Sequence, residues 1–422
     1  MSRFILRIDA LTPLLFRDAR PFTGATDATR ARSLDFPGPS TIAGFVRTHV
    51  GDSLHWQWTP EQADAARKIR CVASWMVMER GGRIDPVLPA PATAVPYSPE
   101  TRTDGQGDSP GLMRLLPLTG EHDGHCPMPD GLVPLSAEHG VKPLPGYEYW
   151  TWEDTTAWLA GATSFPAQVS PPPTDERIQI GLDPATHAVR EGHLFAVEYR
   201  DWESGSHSPT HDGGDGRASA QPEHTRWAQY VAIDVPQSVP GYDEITPETL
   251  STVGHFGGER RPVSVTASWA DTTAPGLDAD ADLAATLTST TRVTLQLATP
   301  GLFSRGWKPG WIGDDQSPTL IADPPPQLSA LRGARLISAA VNRHETVAGW
   351  DYDSRRRGPK ATRWAAPAGS TYFLELATKF TRDDITNLWL VPTSDNEQDR
   401  ADGYGLAVWG VWGQERYSHE NR

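Results

Sequence analysis

Residues 3–9 (RFILRID) alternate apolar and polar side chains, with Phe4, Leu6 and Ile8 on one side. That period of two predicts a half-buried strand. Residues 10–37 then lose all periodicity and carry Arg17, Arg20, Arg30 and Arg32. From FPGPST onward the period changes: Ile42, Phe45, Val46, His49 and Val50 fall on one face of a helix. Pro39 suits the place before the cap and Ser40 the N-cap itself. Arg47 lies on the polar side of this helix. The opening of the chain therefore reads as strand, long basic loop, buried helix. A positive loop that feeds a helix N-terminus is a natural receiver of phosphate.

The pattern continues in short pieces. Residues 61–70 read as a helix, 71–79 (CVASWMVME) as a strand, and 84–150 as Pro- and Gly-rich loops with short strands. Residues 149–161 form a short helix whose Trp150, Trp152 and Trp158 are expected to pack. In 176–200, Leu194, Ala196 and Glu198 alternate against Phe195, Val197 and Tyr199, which predicts two strands around a polar loop holding His187 and Arg190. Residues 203–225 have almost no apolar content and read as a linker, and 271–285 as a polar surface segment. Beyond them come strands at 227–235, 291–300 and 368–377, a strand followed by a second strand or turn over 334–352, short helices at 247–254 and 383–391, and a Gly-rich turn into a last strand at 403–412. This order fits two α+β domains on antiparallel sheets, divided at about residues 1–222 and 223–422 and carrying long loop insertions. No internal repeat is visible.

Composition narrows the class. A chain of 422 residues with 16 Trp and 38% hydrophobic residues can bury a sizeable core. Two cysteines make no disulfide framework, so a reducing cytoplasm is the expected setting. Net charge is −15, which counts against nucleic-acid binding by overall field. The distribution differs: residues 1–50 hold seven Arg against four Asp, +3, which leaves −18 for the rest. Any nucleic-acid surface must be local.

No phosphate-binding loop, dinucleotide fingerprint, zinc-protease helix or nucleophile elbow occurs. His122, His125 and Cys126 lie close together but lack a spaced fourth ligand, so no metal and no cofactor are expected. No catalytic residue is assigned; His49, His187 and His344 are the available bases, none with an identifiable partner. The binding candidates are Arg17 and Arg20, with Asp18 able to pair with either; Ser40 and Thr41, as caps or as ligand contacts; and Arg47. GHFGGERRPVSV adds Gly257, Gly258, Arg260 and Arg261, where a tight turn with Glu259 paired to one Arg is the plain structural alternative. SRRRGPK adds Arg355, Arg357 and Lys360, the strongest positive cluster in an acidic half, where a solvated basic loop is the plain structural alternative. Gly403 and Gly405 permit a close backbone approach before the last strand, where a plain β-turn is the structural alternative.

Several of these stretches, in this order, resemble the third subunit of the Cmr complex, the type III-B CRISPR effector of the RAMP superfamily. They are FRDARPF (16–22), FPGPSTIAGFVRT (36–48), GLDPATHAVREGHLF (181–195), FGGERR (256–261), TPGLFSRGWKPGW (299–311), VAGWD (347–351), PAGSTYFLEL (367–376) and GYGLAVWG (403–410). The resemblance implies two ferredoxin-like (RRM-like) RAMP domains. It implies binding of the 5′ handle of the crRNA, the guide RNA, with the large type III subunit and the backbone RAMP subunit as partners and no nuclease activity of its own. It places Arg17, Arg20, Ser40, Thr41, Arg47, Gly257, Gly258, Arg260, Arg261, Gly403 and Gly405 at or near RNA. Within the same superfamily, an endoribonuclease that processes repeat RNA is the alternative. The polar segments 203–225 and 271–285 depart from the family pattern.

Overall fold

The computed structural model describes residues 1–20, 30–98, 110–118, 132–136, 141–203, 224–270, 279–313, 320–351 and 358–413. The chain folds into two compact units whose segments interleave along the sequence. The first comprises Met1–Pro86, Pro171–Pro275 and Thr346–Arg363; the second comprises Val87–Ser170, Gly276–Glu345 and Trp364–Arg422.

The first unit is built on Ser2–Ala10, whose Phe4, Leu6 and Ile8 are fully buried. It pairs antiparallel on one side with Thr225–Val235 and on the other with Arg261–Trp269. Arg70–Arg80 adds to Thr225–Val235, and Val253–Phe256 adds to the opposite edge, again antiparallel. Helix Pro39–Ser53 follows the first strand and buries Ile42, Phe45, Val46, His49 and Val50, the face that its periodicity predicts. Its start differs from the expectation. Gly38, not Ser40, is the N-cap, and no side chain caps the helix. The Gly38 carbonyl accepts from Thr41 N (2.9 Å) and Ile42 N (3.1 Å). Pro39, with φ already fixed near the helical value, takes the first turn and moves Ser40 inside it.

A long hairpin, Thr174–Leu182 with Val189–Arg200, forms a separate three-stranded sheet with Arg30–Ala31. Its Val197 and Tyr199 pack on Leu15 and Ala31, with Phe195 against them. On its other side Ile178, Ile180, Leu182, Val189 and Leu194 are exposed.

The second unit has a four-stranded antiparallel sheet in the order Arg335–Ala340, Thr371–Glu375, Arg292–Leu297, Ala407–Val411. Helix Arg382–Leu388 links the third and fourth strands in sequence, started by a capping box at Thr381 and Asp384. Four neighbouring strands of the larger sheet, Arg70–Arg80, Thr225–Val235, Ser2–Ala10 and Arg261–Trp269, thus repeat the spatial order of the four-stranded sheet: counted along the chain within each set, second, third, first, fourth. Helix Ala281–Ser289 forms where the sequence reads as a polar segment, because Leu283 and Leu287, one turn apart, are both fully buried. The helix expected to reach residue 254 stops at Leu250, and Val253–Phe256 joins the sheet instead.

Candidate nucleic-acid interface

Around Arg17 and Arg20 the basic loop is held chiefly by backbone bonds. Leu14 and Arg200 exchange N–H···O bonds at 2.8 and 2.7 Å, which fixes the loop to the base of the long hairpin. Leu34 N donates to the Phe16 carbonyl at 2.7 Å, and Phe16 N donates to Ser33 Oγ at 3.0 Å. Phe16 is buried against Phe256 (ring centroids 5.2 Å apart) and Trp202 (5.8 Å). With Phe16 turned in, Arg17 is turned out. It is exposed, and its Nη2 donates to the Arg20 carbonyl at 3.1 Å. Arg20 is 70% exposed, with Nε 3.3 Å from Asp18. The Asp18 partner anticipated for one of the two is therefore taken by Arg20. Arg30 is engaged by Glu176 and Glu198 of the hairpin, which neutralise it.

The Phe16–Phe256 contact brings the GGERR turn to this loop. Gly258 N donates to the Leu15 carbonyl at 2.7 Å. Gly257 has φ +73°, and a Cβ there would stand 2.5 Å from the Leu15 oxygen, so this position requires glycine. Glu259 and Arg260 follow at φ 58° and 52°, a left-handed conformation that is costly for side chains of this size. Tyr199 holds the turn: its hydroxyl donates to Glu259 Oε2 at 2.8 Å, and the Arg261 guanidinium lies over its ring at 4.3 Å. Arg261 also donates to Glu259 at 2.9 Å. Burial, and then the bond to Glu259, push the Tyr199 phenol above its ordinary value, so the ring stays neutral and can donate. The two arginines of the turn thus have different tasks. Arg261 is bound internally; Arg260 is exposed, with no ion pair among the described residues.

The remaining sequence candidates lie elsewhere. Ser40 and Thr41 are half-buried in the first turn of their helix. Arg47 donates from Nε and Nη2 to the Ile69 carbonyl at 3.3 and 3.1 Å. Lys360 is exposed beside the two-stranded piece Trp350–Asp351 and Gly358–Pro359. Arg355 and Arg357 lie outside the described residues, as do His122, His125 and Cys126. Gly403 and Gly405 belong to the second unit and are buried. Their close approaches are to their own chain: Thr299 Oγ1 donates to the Gly403 carbonyl at 2.8 Å, and a Cβ on Gly405 would stand 2.8 Å from Ser394 N. Tyr199 was missed as a site residue. Its alternation with Val197 marks its face, but nothing local names Glu259 as its partner.

A family model for the CRISPR-associated protein Cas_Cmr3 matches residues 6–412. The chain belongs to the Cas_Cmr3 family. It is thereby a subunit of a CRISPR type III effector, of the Cmr kind. Among solved structures, the chain is similar to a subunit of the type III-B Cmr-beta complex bound to cognate target RNA and AMPPnP, at 14% identity and TM-score 0.41 over 87% of this chain and 86% of that one. It is also similar to a chain of the Csm3–Csm4 subcomplex of the type III-A interference complex, at 7% identity and TM-score 0.34 over 98% and 100%. These overlaps are loose, and the family match alone carries the assignment. Curated protein sequences show no match. Among the described residues of this Cas_Cmr3 chain, no three His, Cys, Asp or Glu side chains gather as a metal site, and no helix is long and apolar enough to cross a membrane.

Proposed function

We propose that the chain holds the 5′ handle of the crRNA within the Cmr effector and joins the large subunit to the backbone RAMP subunits in antiviral defence, without cutting RNA itself. One observation carries this reading: in a chain of net charge −15, the exposed cations Arg17, Arg20 and Arg260 stand on two turns joined by the Gly258–Leu15 bond. Charge-assisted bonds from such arginines suit phosphate oxygens. The strand order shared by the four-stranded sheet and four neighbouring strands of the larger one supports two ferredoxin-like domains, the second with the 3-10 helix Pro326–Leu331 between its first two strands. The exposed apolar side of the hairpin offers a surface for a protein neighbour, for which the backbone subunit is the natural occupant.

The alternative nuclease needs a base near the scissile phosphate. His49 is buried with Nε2 on the Leu250 carbonyl at 2.8 Å, which removes one of the three histidines from reach. The test has two arms. Purified protein is incubated with repeat RNA and with handle RNA. Intact RNA and binding that falls steeply with salt support the proposal; cleavage of the repeat, or a salt-independent signal, overturns it.

A further inference from the structure

Trp364, in the short strand Arg363–Ala365, is 64% exposed, more than Trp58 (39%) or Trp269 (45%). Its ring is nonetheless not free-standing. The ring of His344, just before the short strand Glu345–Val347, stacks on it with centroids 4.7 Å apart and planes at 30°. One face of the indole thus meets a planar ring while the residue as a whole stays 64% exposed, which leaves area on the opposite side for a second ring. Arg343, next in the chain to His344, is exposed, with no ion pair among the described residues.

We infer that the open face of Trp364 is a stacking platform for one unpaired nucleobase of single-stranded RNA, with Arg343 for the adjoining phosphate. A ring already stacked on one side loses less freedom on binding than an isolated one, and every base has a π-face to offer it. The surroundings favour a base over a protein. A protein hot spot is ringed by contacts that exclude water, whereas of the immediate chain neighbours of this pair, Arg343, Glu345, Arg363 and Ala365, all but Ala365 are exposed. The exposed aliphatic residues cluster instead on the hairpin of the first unit. The inference rests on the RNA-binding reading above and adds to it a site in the second unit, distinct from the arginine turns.

The experiment compares a short single-stranded RNA with the same RNA made abasic, titrated against the full chain and its Trp364→Ala, Trp364→Phe, His344→Ala and Arg343→Ala variants. Trp364→Ala is expected to bind the normal RNA about tenfold more weakly and the abasic RNA as well as wild type does. Trp364→Phe retains most of the affinity, His344→Ala loses a smaller factor, and Arg343→Ala weakens both RNAs alike. Melting curves run alongside, and if Trp364→Ala fails to fold, His344→Ala and Trp364→Phe decide. Unchanged binding by Trp364→Ala, or equal loss on both RNAs, overturns the platform. Loss of subunit assembly with RNA binding intact overturns it in favour of protein docking. Wild-type chain that binds neither RNA sinks the functional reading itself, a different result from wild-type binding that Trp364→Ala leaves untouched.

Discussion

The backbone N–H of Gly258 donates to the carbonyl of Leu15 at 2.7 Å, and through this bond two turns far apart in the chain become one surface. The bond forms only because Gly257 reaches φ +73° with no Cβ to strike that same carbonyl. Around it, buried Phe16 and Phe256 point inward while Arg17 and Arg260 stay exposed.

Gly257→Ala should therefore separate the turns. The new Cβ would stand 2.5 Å from a backbone oxygen, which cannot rotate away as a side chain can. A loss of about 1–3 kcal/mol is expected for a residue forced into this conformation. It is read as a lower first transition in thermal unfolding, accompanied by weaker binding of handle RNA. An unchanged melting curve would show that the turn can rearrange freely.

Replacing Arg17 and Arg20 together by Ala should weaken RNA retention and leave unfolding unchanged, since both side chains are exposed and the loop is held by backbone bonds. Adding Arg260→Ala should lower the slope of log affinity against log salt by a further ~1. Equal salt slopes for wild type and the triple variant would rule out phosphate contact at this surface.

Arg47→Ala should behave in the opposite way. Its guanidinium donates to the Ile69 carbonyl where the chain enters strand Arg70–Arg80. Losing those bonds costs about 1.5–3 kcal/mol, as for hydrogen bonds that involve a charged group. Denaturant unfolding should show the change, while RNA affinity moves less than in the Arg17/Arg20 pair.

His49 gives the stability a pH dependence. Burial, partly offset by the bond to the Leu250 carbonyl, holds its pKa below the ordinary 6.5. The unfolded chain then binds a proton that the folded chain refuses, so this contribution is full above pH 6.5 and is lost as pH falls toward the folded value. Cooling the comparison to one residue, His49→Gln should show a smaller drop in melting temperature than wild type between about pH 7.5 and about pH 5.5. Equal drops in the two proteins would assign the acid sensitivity to other groups.

Local pattern determined the elements and their sequence: the strand around Phe4, Leu6 and Ile8, the buried face of the helix that follows, the hairpin strand carrying Val197 and Tyr199, and the stretches that carry the family. Periodicity records which side of an element is buried, and that is a property of neighbours in the chain. Tertiary structure alone decided what each polar residue does there. Arg260 and Arg261 are adjacent, yet Tyr199 and Glu259 engage only the second. Arg47 sits on the polar side of its helix as expected, but the Ile69 carbonyl claims it. Gly403 and Gly405 make their close approach to Thr299 and Ser394 of their own unit. A partner is chosen by strand register and packing between distant segments, and no local spacing encodes that choice. The basic loop after the first strand was legible from its composition; that it shares a surface with GGERR follows only from the bond between Leu15 and Gly258.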